Sequence, residues 1–550
     1  MIKNYKIILE NNFIKNLKFY YNKEVNWFHN IIKQLLNDIT QICKIEKNIL
    51  SIKNINILRS FNLFNKKYNI IVLQISNYFN CNWLLLILLL YNQNIIPILL
   101  YNEIIEKQFI KTYKQNILFL KQFYKKNKID TFYFKYIKLN FNPIFRLAYL
   151  TNRILAKELI EELYNLNFIL NKKDFQLNNS FKKNKKKNIG FISQYLLLPH
   201  PVFKDRIGII LNLDKNIFNV FCFVFTNLNK FKKIQKFILK KQNHIQFIKI
   251  NGYSEKTKNT ILSYNLDVLL YCDIGMNMET YFLACNKLAK KQITTFGHSC
   301  TSGIKTIDSF ISSELFENYN IIDHFYTEKL IKFNNLGMFY YDPFKFLHFT
   351  KYDLLKRNQL KISETKIIYV CLHTFLKLNY KFLNTLIKLL LLSKNSELYI
   401  SLDTNQNNIN IKHFKQKIKK YNISNRIKIL KRQNFFYYYS YLNIANVIIE
   451  PFPFGGLNST YDVFSLNNPK PIVSLPSKFI SGRFTYGILK LLNLNELIAK
   501  NENDYINKII KIGKSKILQN NISNKMKNKK KFIFNTIESI NSWNNLFNKI

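Results

Sequence analysis

The segment Glu450–Asp462 (EPFPFGGLNSTYD) combines two glycines with amide, hydroxyl and carboxylate side chains. Gly455 and Gly456 would allow the backbone to approach a ligand closely. Three residues of types that favour helix N-termini follow them: Asn458, Ser459 and Thr460. Free N–H groups at a helix start attract phosphate, and Asp462 could accept hydrogen bonds from ribose hydroxyls. The segment therefore predicts a site for a phosphorylated ligand, with an ordinary capped strand–helix turn as the alternative.

The segment LHTFLK begins at Leu372, the last residue of the apolar run Ile367–Leu372, and ends at Lys377. We expect this lysine at the start of the next helix, at the mouth of the same crevice. A lysine in that position can neutralise a diphosphate leaving group, which stabilises charge that develops in the transition state. Because the chain contains 75 lysines, an ordinary surface position is the alternative interpretation.

Two of the eight histidines follow strand-like runs in the first half of the predicted α/β region. His200 precedes Pro201 and comes about six residues after Ile189–Gln194, and His298 lies in the segment FGHSCTSG. Histidine is the natural proton-transfer group near neutral pH. Together the two residues predict a polar cleft, whereas each alone could have a structural role.

The sequence contains none of the metal-binding patterns HxH, HExxH, DxD and CxxC, and no P-loop or GxGxxG pattern. We therefore expect no metal ion and no cofactor. Lys377 and the amides around Asn458–Thr460 would have to stabilise a diphosphate instead.

The elements that must position these residues form two successive series of strands and helices. The first series of predicted strands is Ile189–Gln194, Val220–Thr226, Ile245–Ile250, Val268–Tyr271 and Ile293–Phe296. The second is Ile367–Leu372, Leu398–Leu402, Ile427–Leu430, Val447–Glu450 and Ile472–Leu475. Predicted helices lie between some of these strands: Ser254–Tyr264, Tyr281–Ala289, Lys377–Leu391, Ile411–Tyr421 and Phe435–Leu442. This alternation predicts an α/β protein with two Rossmann-like lobes that face a cleft, where ligands bind at the carboxyl ends of parallel strands.

Three regions follow from this pattern. Residues 1–187 have helical spacing of apolar residues, as in Leu147, Leu150, Leu155, Leu159 and Leu163, and end in a basic linker (NNSFKKNKKKN). We expect this region to be mainly helical. Residues 188–350 would form the first lobe. Residues 351–550 would form the second, with a C-terminal helix.

The formal net charge of the 550-residue chain is +50, which on its face suggests a polyanion partner. Only eight of the basic residues are arginine, the residue favoured for base and phosphate recognition. Lys, Asn and Ile all have A/T-rich codons and are abundant throughout, so genome composition explains the charge better. We expect no nucleic-acid partner.

The apolar residues, at 47% of the chain, are sufficient for sizeable cores and exclude overall disorder. The longest apolar run, Trp83–Tyr91, is about half the length of a membrane-spanning helix. The N-terminus has no signal-peptide pattern, and the odd number of cysteines, seven, suggests reduced thiols. These features predict a cytoplasmic protein without a membrane partner.

Four segments, in order, resemble the family that contains nucleocytoplasmic O-GlcNAc transferases, SPINDLY-like transferases and bacterial adhesin N-glycosyltransferases. They begin with NIGFISQYLLLPHP and TTFGHSCTSG, and continue with IIYVCLHTFLKLN and ANVIIEPFPFGGLNSTYD. The resemblance covers roughly residues 188–515. It implies a GT-B fold, inversion at the anomeric carbon, no metal, and a nucleotide-sugar donor bound mainly by the second lobe.

Site residues follow from the resemblance position by position. Lys377 matches the lysine that contacts the donor diphosphate, and Thr374 matches another donor-contacting position. Asn458, Ser459 and Thr460 match the phosphate- and ribose-facing turn, and Asp462 matches the ribose-binding acid. His200 matches the histidine of an HP element near the acceptor, and His298 matches the histidine of the adhesin-type GHP segment. Asp267 is a weaker candidate, at a position that holds His or Asp in the family.

The resemblance implies transfer of GlcNAc or a hexose from a UDP-type donor, UDP-GlcNAc or UDP-Glc, to Ser/Thr or Asn side chains of a protein acceptor. Phe435 and Tyr438 stand where the family has a Lys and a His. These departures motivate one alternative, a catalytically silent binding module with the same fold. A polyanion-binding protein is the third hypothesis, motivated by the charge.

Overall fold

Two parallel sheets dominate the computed structural model of this protein, which describes residues 157–158, 160–162, 164–165, 185–196, 200–225, 244–318, 324–346, 354–374, 377–401, 409–431 and 433–550. The first sheet has seven strands: β1 (Lys187–Ser193), β2 (Phe218–Val224), β3 (Ile245–Lys249), β4 (Val268–Tyr271), β5 (Lys291–Thr295), β6 (Ser309–Ser313) and β7 (Lys329–Phe333). Their order is β3-β2-β1-β4-β5-β6-β7. The chain therefore reverses direction across the sheet between β1 and β4, and a ligand-binding crevice is expected at that switch point.

The second sheet has five parallel strands: β8 (Ile367–Cys371), β9 (Ser396–Ser401), β10 (Ile427–Leu430), β11 (Val447–Ile449) and β12 (Ile472–Val473). Their order, β10-β9-β8-β11-β12, puts a second switch point between β8 and β11. We refer to the two sheets with their helices as the first and second lobes. The predicted fold of two Rossmann-like lobes is confirmed.

Helices connect the strands of both lobes. Those before β8 are α1 (Pro201–Asn212), α2 (Glu255–Leu262), α3 (Met278–Ala284) and α4 (Pro343–Phe346). Those after β8 are α5 (Tyr380–Leu392), α6 (Ile409–Lys420), α7 (Phe435–Ile444), α8 (Asn458–Ser465), α9 (Phe484–Leu491), α10 (Glu502–Lys514), α11 (Lys516–Lys529) and α12 (Ile537–Lys549). Ser254, Asn379, Asn434 and Asn501 each cap the N-terminus of a helix through the side chain, which explains where α2, α5, α7 and α10 begin.

The ten predicted strands all exist, with ends that differ by no more than a few residues. Two further strands, β6 (SFISS) and β7 (KLIKF), were not predicted. Serines and lysines interrupt the apolar pattern of both. Helix α1 was also missed, although Pro201 occupies its first turn, where the lost N–H of proline costs nothing.

The C-terminal helix α12 packs on the first lobe. Trp543 and Phe547 are fully buried in the same core as Phe191 of β1 and Phe218 of β2. The Phe547 ring lies 6.1 Å from each of those two phenylalanine rings. Residues 537–549, which the sequence assigned to the second lobe, therefore complete the hydrophobic core of the first.

Most of the predicted helical region 1–187 lies outside the described residues, including the five leucines whose spacing suggested helices. The described residues between 157 and 165 are helical. Within the part of the chain that the structure describes, no helix has the length and apolarity needed to cross a membrane.

Candidate active site

The loops that follow β8 and β11 meet at the switch point of the second lobe. The first loop carries His373, Thr374 and Lys377, and the second runs from Glu450 to the start of α8. The Nζ of Lys377 donates a 2.5 Å hydrogen bond to the carbonyl oxygen of Gly455. The structure thus brings Lys377 and the glycine turn together, while the Thr374 side chain is exposed on the same loop.

Lys377 lies in the turn before α5 instead of in the helix itself, because Asn379 caps the helix and Tyr380 begins it. Its ammonium group also lies 4.6 Å from the centroid of the Phe454 ring. Burial lowers the pKa of Lys377 to about 8, partly offset by the negative charge of Glu450. A bound anion would supply the counter-charge that the buried ammonium needs.

Glu450 is a buried carboxylate that organises the glycine turn from beneath. Its Oε1 accepts a 2.8 Å hydrogen bond from the Gly456 amide and another from the Thr485 hydroxyl. The Gly455 amide donates to the carbonyl of Ser481 at 2.9 Å. Both glycine amides are therefore engaged within the protein.

The need for glycine at these positions also comes from internal packing. A Cβ at position 455 would lie 2.7 Å from Oε1 of Glu450, and one at position 456 would lie 2.9 Å from Cε1 of His373. Burial and the charge of Lys377 hold the pKa of His373 well below its usual range, so this imidazole is neutral. We infer that Glu450 and His373 shape the turn.

Helix α8 begins without a side-chain cap, because its N-cap residue is Leu457. The Asn458 Oδ1 accepts a 2.7 Å hydrogen bond from the Tyr340 hydroxyl, and Thr460 shares a 2.6 Å hydrogen bond with Thr485. Ser459 lies against Gly456. Asn458 and Thr460 thus bond elsewhere, none of the three predicted residues caps the helix, and the positive end of the helix dipole is left to attract an anion beside Lys377.

Asp462 lies one turn into α8 and is buried. Its Oδ1 accepts hydrogen bonds from Nζ of Lys204 at 2.9 Å and from the Tyr439 hydroxyl at 2.5 Å. Its Oδ2 accepts a 3.3 Å hydrogen bond from the Tyr438 hydroxyl. Tyr438, one of the two departures noted in the sequence, therefore contacts the carboxylate assigned to ribose. Phe435, the other departure, packs 4.4 Å from the Tyr439 ring.

In the first lobe, His200 is the N-cap residue of α1. Its Nδ1 accepts a 3.2 Å hydrogen bond from the Val202 amide, and its ring stacks on Tyr195 with centroids 4.3 Å apart. An imidazole that accepts at Nδ1 carries its proton on Nε2 when neutral. In this geometry the Nε2 of His200 can donate a hydrogen bond to a bound ligand. It cannot take up a proton, because it already carries one.

His298 lies against the loop of residues 273–277, and His200 is connected to the same loop through Tyr195. The buried His298 ring packs on Gly275, whose positive φ of 90° and missing side chain leave room for it. Tyr195, which stacks on His200, donates from its hydroxyl to the Met276 carbonyl at 3.3 Å. Both predicted histidines therefore lie at the carboxyl edge of the first sheet, where Tyr195 and the loop of residues 273–277 separate them.

Asp273, which was not predicted from the sequence, connects β4 to the loop that leads to His200. Its Oδ2 accepts from the Ser193 hydroxyl at 3.0 Å and from the Gln194 amide at 2.9 Å. Burial raises the pKa of Asp273 to about 6, although these hydrogen bonds oppose the shift. By contrast, Asp267 pairs with Lys290 at 2.7 Å at the opposite, amino edge of the sheet.

One signal could have identified Asp273 and Glu450. Each is the first charged residue after a fully apolar strand, in VLLYCD and VIIE. A charge at the carboxyl end of a buried parallel strand falls at the ligand-binding edge of the sheet. Lys204 had no such signal, since its role depends on a contact with a residue 258 positions later.

The two lobes meet along these carboxyl edges. Lys204 of α1 reaches Asp462 of α8, and the Arg483 Nε donates to the Phe316 carbonyl at 3.1 Å. The Lys204 amide also bonds to the His200 carbonyl, so His200 lies within one helical turn of the contact with α8. Among the described residues, no group of three or more His, Cys, Asp or Glu side chains could hold a metal ion.

This arrangement, two doubly wound lobes that contact each other at their carboxyl edges, is the GT-B fold. The chain is similar to a mutant O-GlcNAc transferase from Thermobaculum terrenum, with a TM-score of 0.61, 12% identity and coverage of 94% of each chain. It is also similar to a glycosyltransferase from Rickettsia africae (TM-score 0.42, 13% identity, 66% of this chain and 99% of that one). HepE from Anabaena in complex with UDP and glucose gives a TM-score of 0.44 at 11% identity, over 66% of this chain and 100% of that one. No protein-family model and no curated protein matches the sequence.

Proposed function

We propose that this protein is an inverting glycosyltransferase that moves GlcNAc or a hexose from a UDP-type donor to a protein side chain. One observation carries the proposal. Lys377, the uncapped start of α8 and the glycine turn converge at the switch point of the second lobe. Lys377 and the helix start offer positive charge where a diphosphate leaving group would gain negative charge.

The first lobe supports the acceptor side of the reaction. His200, with its proton on Nε2, can donate a hydrogen bond that orients an incoming Ser, Thr or Asn side chain. His298, which packs on Gly275, is the second candidate. The T. terrenum enzyme, to which 94% of this chain is similar in fold, is an O-GlcNAc transferase, which favours a protein acceptor.

The test of the proposed function is product analysis. The purified protein would be incubated with UDP-GlcNAc or UDP-Glc and cell protein, and modified peptides would be identified by mass spectrometry. We expect a GlcNAc or hexose mass on Ser, Thr or Asn. Release of UDP without any modified peptide would contradict the proposal of a protein acceptor. The absence of both products would contradict the proposal that the protein is a transferase.

A catalytically silent binding module is the second candidate, and the site of Asp462 favours it. Lys204, Tyr438 and Tyr439 already engage the carboxylate assigned to ribose. Such a module would bind UDP, measurable by calorimetry, yet show no donor hydrolysis or transfer. Turnover of either UDP-sugar would exclude it.

We further propose a cytoplasmic location. The five cysteines in the described part of the chain form no disulfide with one another, as expected in a reducing compartment.

A further inference from the structure

The ion pair between Lys204 and Asp462 joins the two lobes. Lys204 lies in the first turns of α1, and Asp462 lies on α8 of the second lobe. Their side chains are only 14% and 7% exposed, although nearly all lysines in proteins keep the ammonium group in water. Both charges have therefore lost most of their hydration to form this contact.

Stability alone is a poor explanation for such a pair. The cost of desolvating two charges offsets most of their attraction, and a well-packed apolar pair would serve as well. The better-attested role of a buried ion pair is to fix one arrangement of the elements that carry it. Here those elements are the helix that follows His200 and the helix that begins at the proposed diphosphate site.

The hydrogen bonds around Asp462 are unequal. Oδ1 accepts from both Lys204 and Tyr439, at 2.9 and 2.5 Å. Among the described residues, Oδ2 accepts only the long 3.3 Å bond from Tyr438. A carboxylate can accept about four hydrogen bonds, so the two short bonds fix the rotamer while Oδ2 keeps capacity for a further donor.

We propose that Lys204 is a positioning residue of the donor site: it holds Asp462 from the opposite lobe so that Oδ2 can accept hydrogen bonds from the ribose of the nucleoside diphosphate. This inference rests on the proposed function and adds a residue of the first lobe to the donor site. It also couples two events. Ribose binding stabilises the contact between the lobes, and that contact favours ribose binding to the same extent.

The experiment compares UDP with 2′,3′-dideoxy-UDP, which lacks the ribose hydroxyls, by titration calorimetry. The unmodified protein should bind UDP about 10- to 100-fold more tightly, the worth of hydrogen bonds to a charged group. Lys204→Met should reduce this preference to about threefold or less. Lys204→Arg, which keeps the charge, should retain most of it. Lys204→Met/Asp462→Asn should bind UDP no more weakly than Asp462→Asn, because the two residues act as a unit.

Lys287→Met is the matched control. Lys287 forms a 2.6 Å ion pair with Asp308, the residue before β6, at the amino edge of the first sheet. Its loss removes another charge pair of the first lobe, more exposed and far from the carboxyl edges, so the preference for UDP should not change.

A second measurement uses the unmodified protein alone and needs no variant. In the unmodified protein, saturating UDP should slow hydrogen exchange in α1 more than saturating dideoxy-UDP does. Equal exchange with the two ligands, or an unchanged UDP preference in folded Lys204→Met, would overturn the inference and leave the proposed function intact. Failure of the unmodified protein to bind UDP would overturn both.

Discussion

Lys377 is the residue on which the proposed chemistry depends most. We expect Lys377→Ala to lower kcat/KM for transfer by at least about 10²-fold, since removing one group that stabilises transition-state charge has an effect of this size. Thermal unfolding should change little, because the ammonium group makes one hydrogen bond to a loop carbonyl. Lys366→Ala is the control: Lys366 pairs with Glu397 near the start of β8, away from the site. Near-normal turnover of a folded Lys377→Ala protein would contradict the assignment.

The lowered pKa of Lys377 leads to a pH prediction. With a pKa of about 8, the lysine is charged below that pH and loses its proton above it. UDP affinity should therefore be nearly constant from about pH 7 to about pH 8. It should then fall by up to tenfold per pH unit, because binding must first restore the proton.

Lys377→Arg provides the control for this pH profile. Arginine stays charged throughout the range, so calorimetric titrations of this variant should show no decline above pH 8. If UDP affinity still declines above pH 8 in Lys377→Arg, a group other than Lys377 causes the decline.

His200 combines a structural and a chemical role, and two substitutions separate them. His200→Ala removes both the helix cap and the imidazole, whereas His200→Asn keeps a good N-cap. If the imidazole orients the acceptor, both variants should lower kcat by about 10²-fold with little change in UDP affinity, because a misplaced reacting group costs about this much. His200→Ala should in addition lose about 1 kcal/mol of stability. Recovery of activity in His200→Asn would show that His200 acts as a cap alone.

At the scale of elements, helix α12 has a clear energetic role. Trp543 is fully buried, donates a 3.0 Å hydrogen bond to the Gly337 carbonyl and contacts the Phe333 ring at 5.2 Å. We expect Trp543→Ala to destabilise the first lobe by about 3–5 kcal/mol, measurable as a lower midpoint in urea. Ile537→Ala on the same helix, at a side chain that is 66% exposed, should stay within about 0.5 kcal/mol of the unmodified protein.

The elements also show what the sequence could predict. The strand VLLY is a continuous apolar run and was found with correct ends, because burial on both faces of the sheet requires such a run. SFISS and KLIKF were missed because their serines and lysines break the run. Glycines 455 and 456 were predicted to approach a ligand, and that prediction stands beside an internal reason that was not predicted: Glu450 and His373 leave no room for a Cβ. The contact with His373 depends on tertiary structure.

At the scale of the molecule, the charge around the site predicts how the reaction responds to metal removal. The lysine and the helix N-terminus at the proposed diphosphate site supply positive charge without a divalent ion. Transfer should therefore continue at an unchanged rate in EDTA. A loss in EDTA that Mg²⁺ or Mn²⁺ restores would reveal a metal site.

The packing of α12 on β1 and β2 has a consequence for synthesis on the ribosome. Phe191 and Phe218 emerge about 350 residues before Phe547, with which their rings pack. At about 5–20 residues per second, that face of the nascent sheet stays uncovered for roughly 20 to 70 seconds. During this interval it is a target for chaperones and for aggregation. The core of the second lobe includes no residue later than Phe534, so the lobe that is synthesised first is the one that completes its folding last.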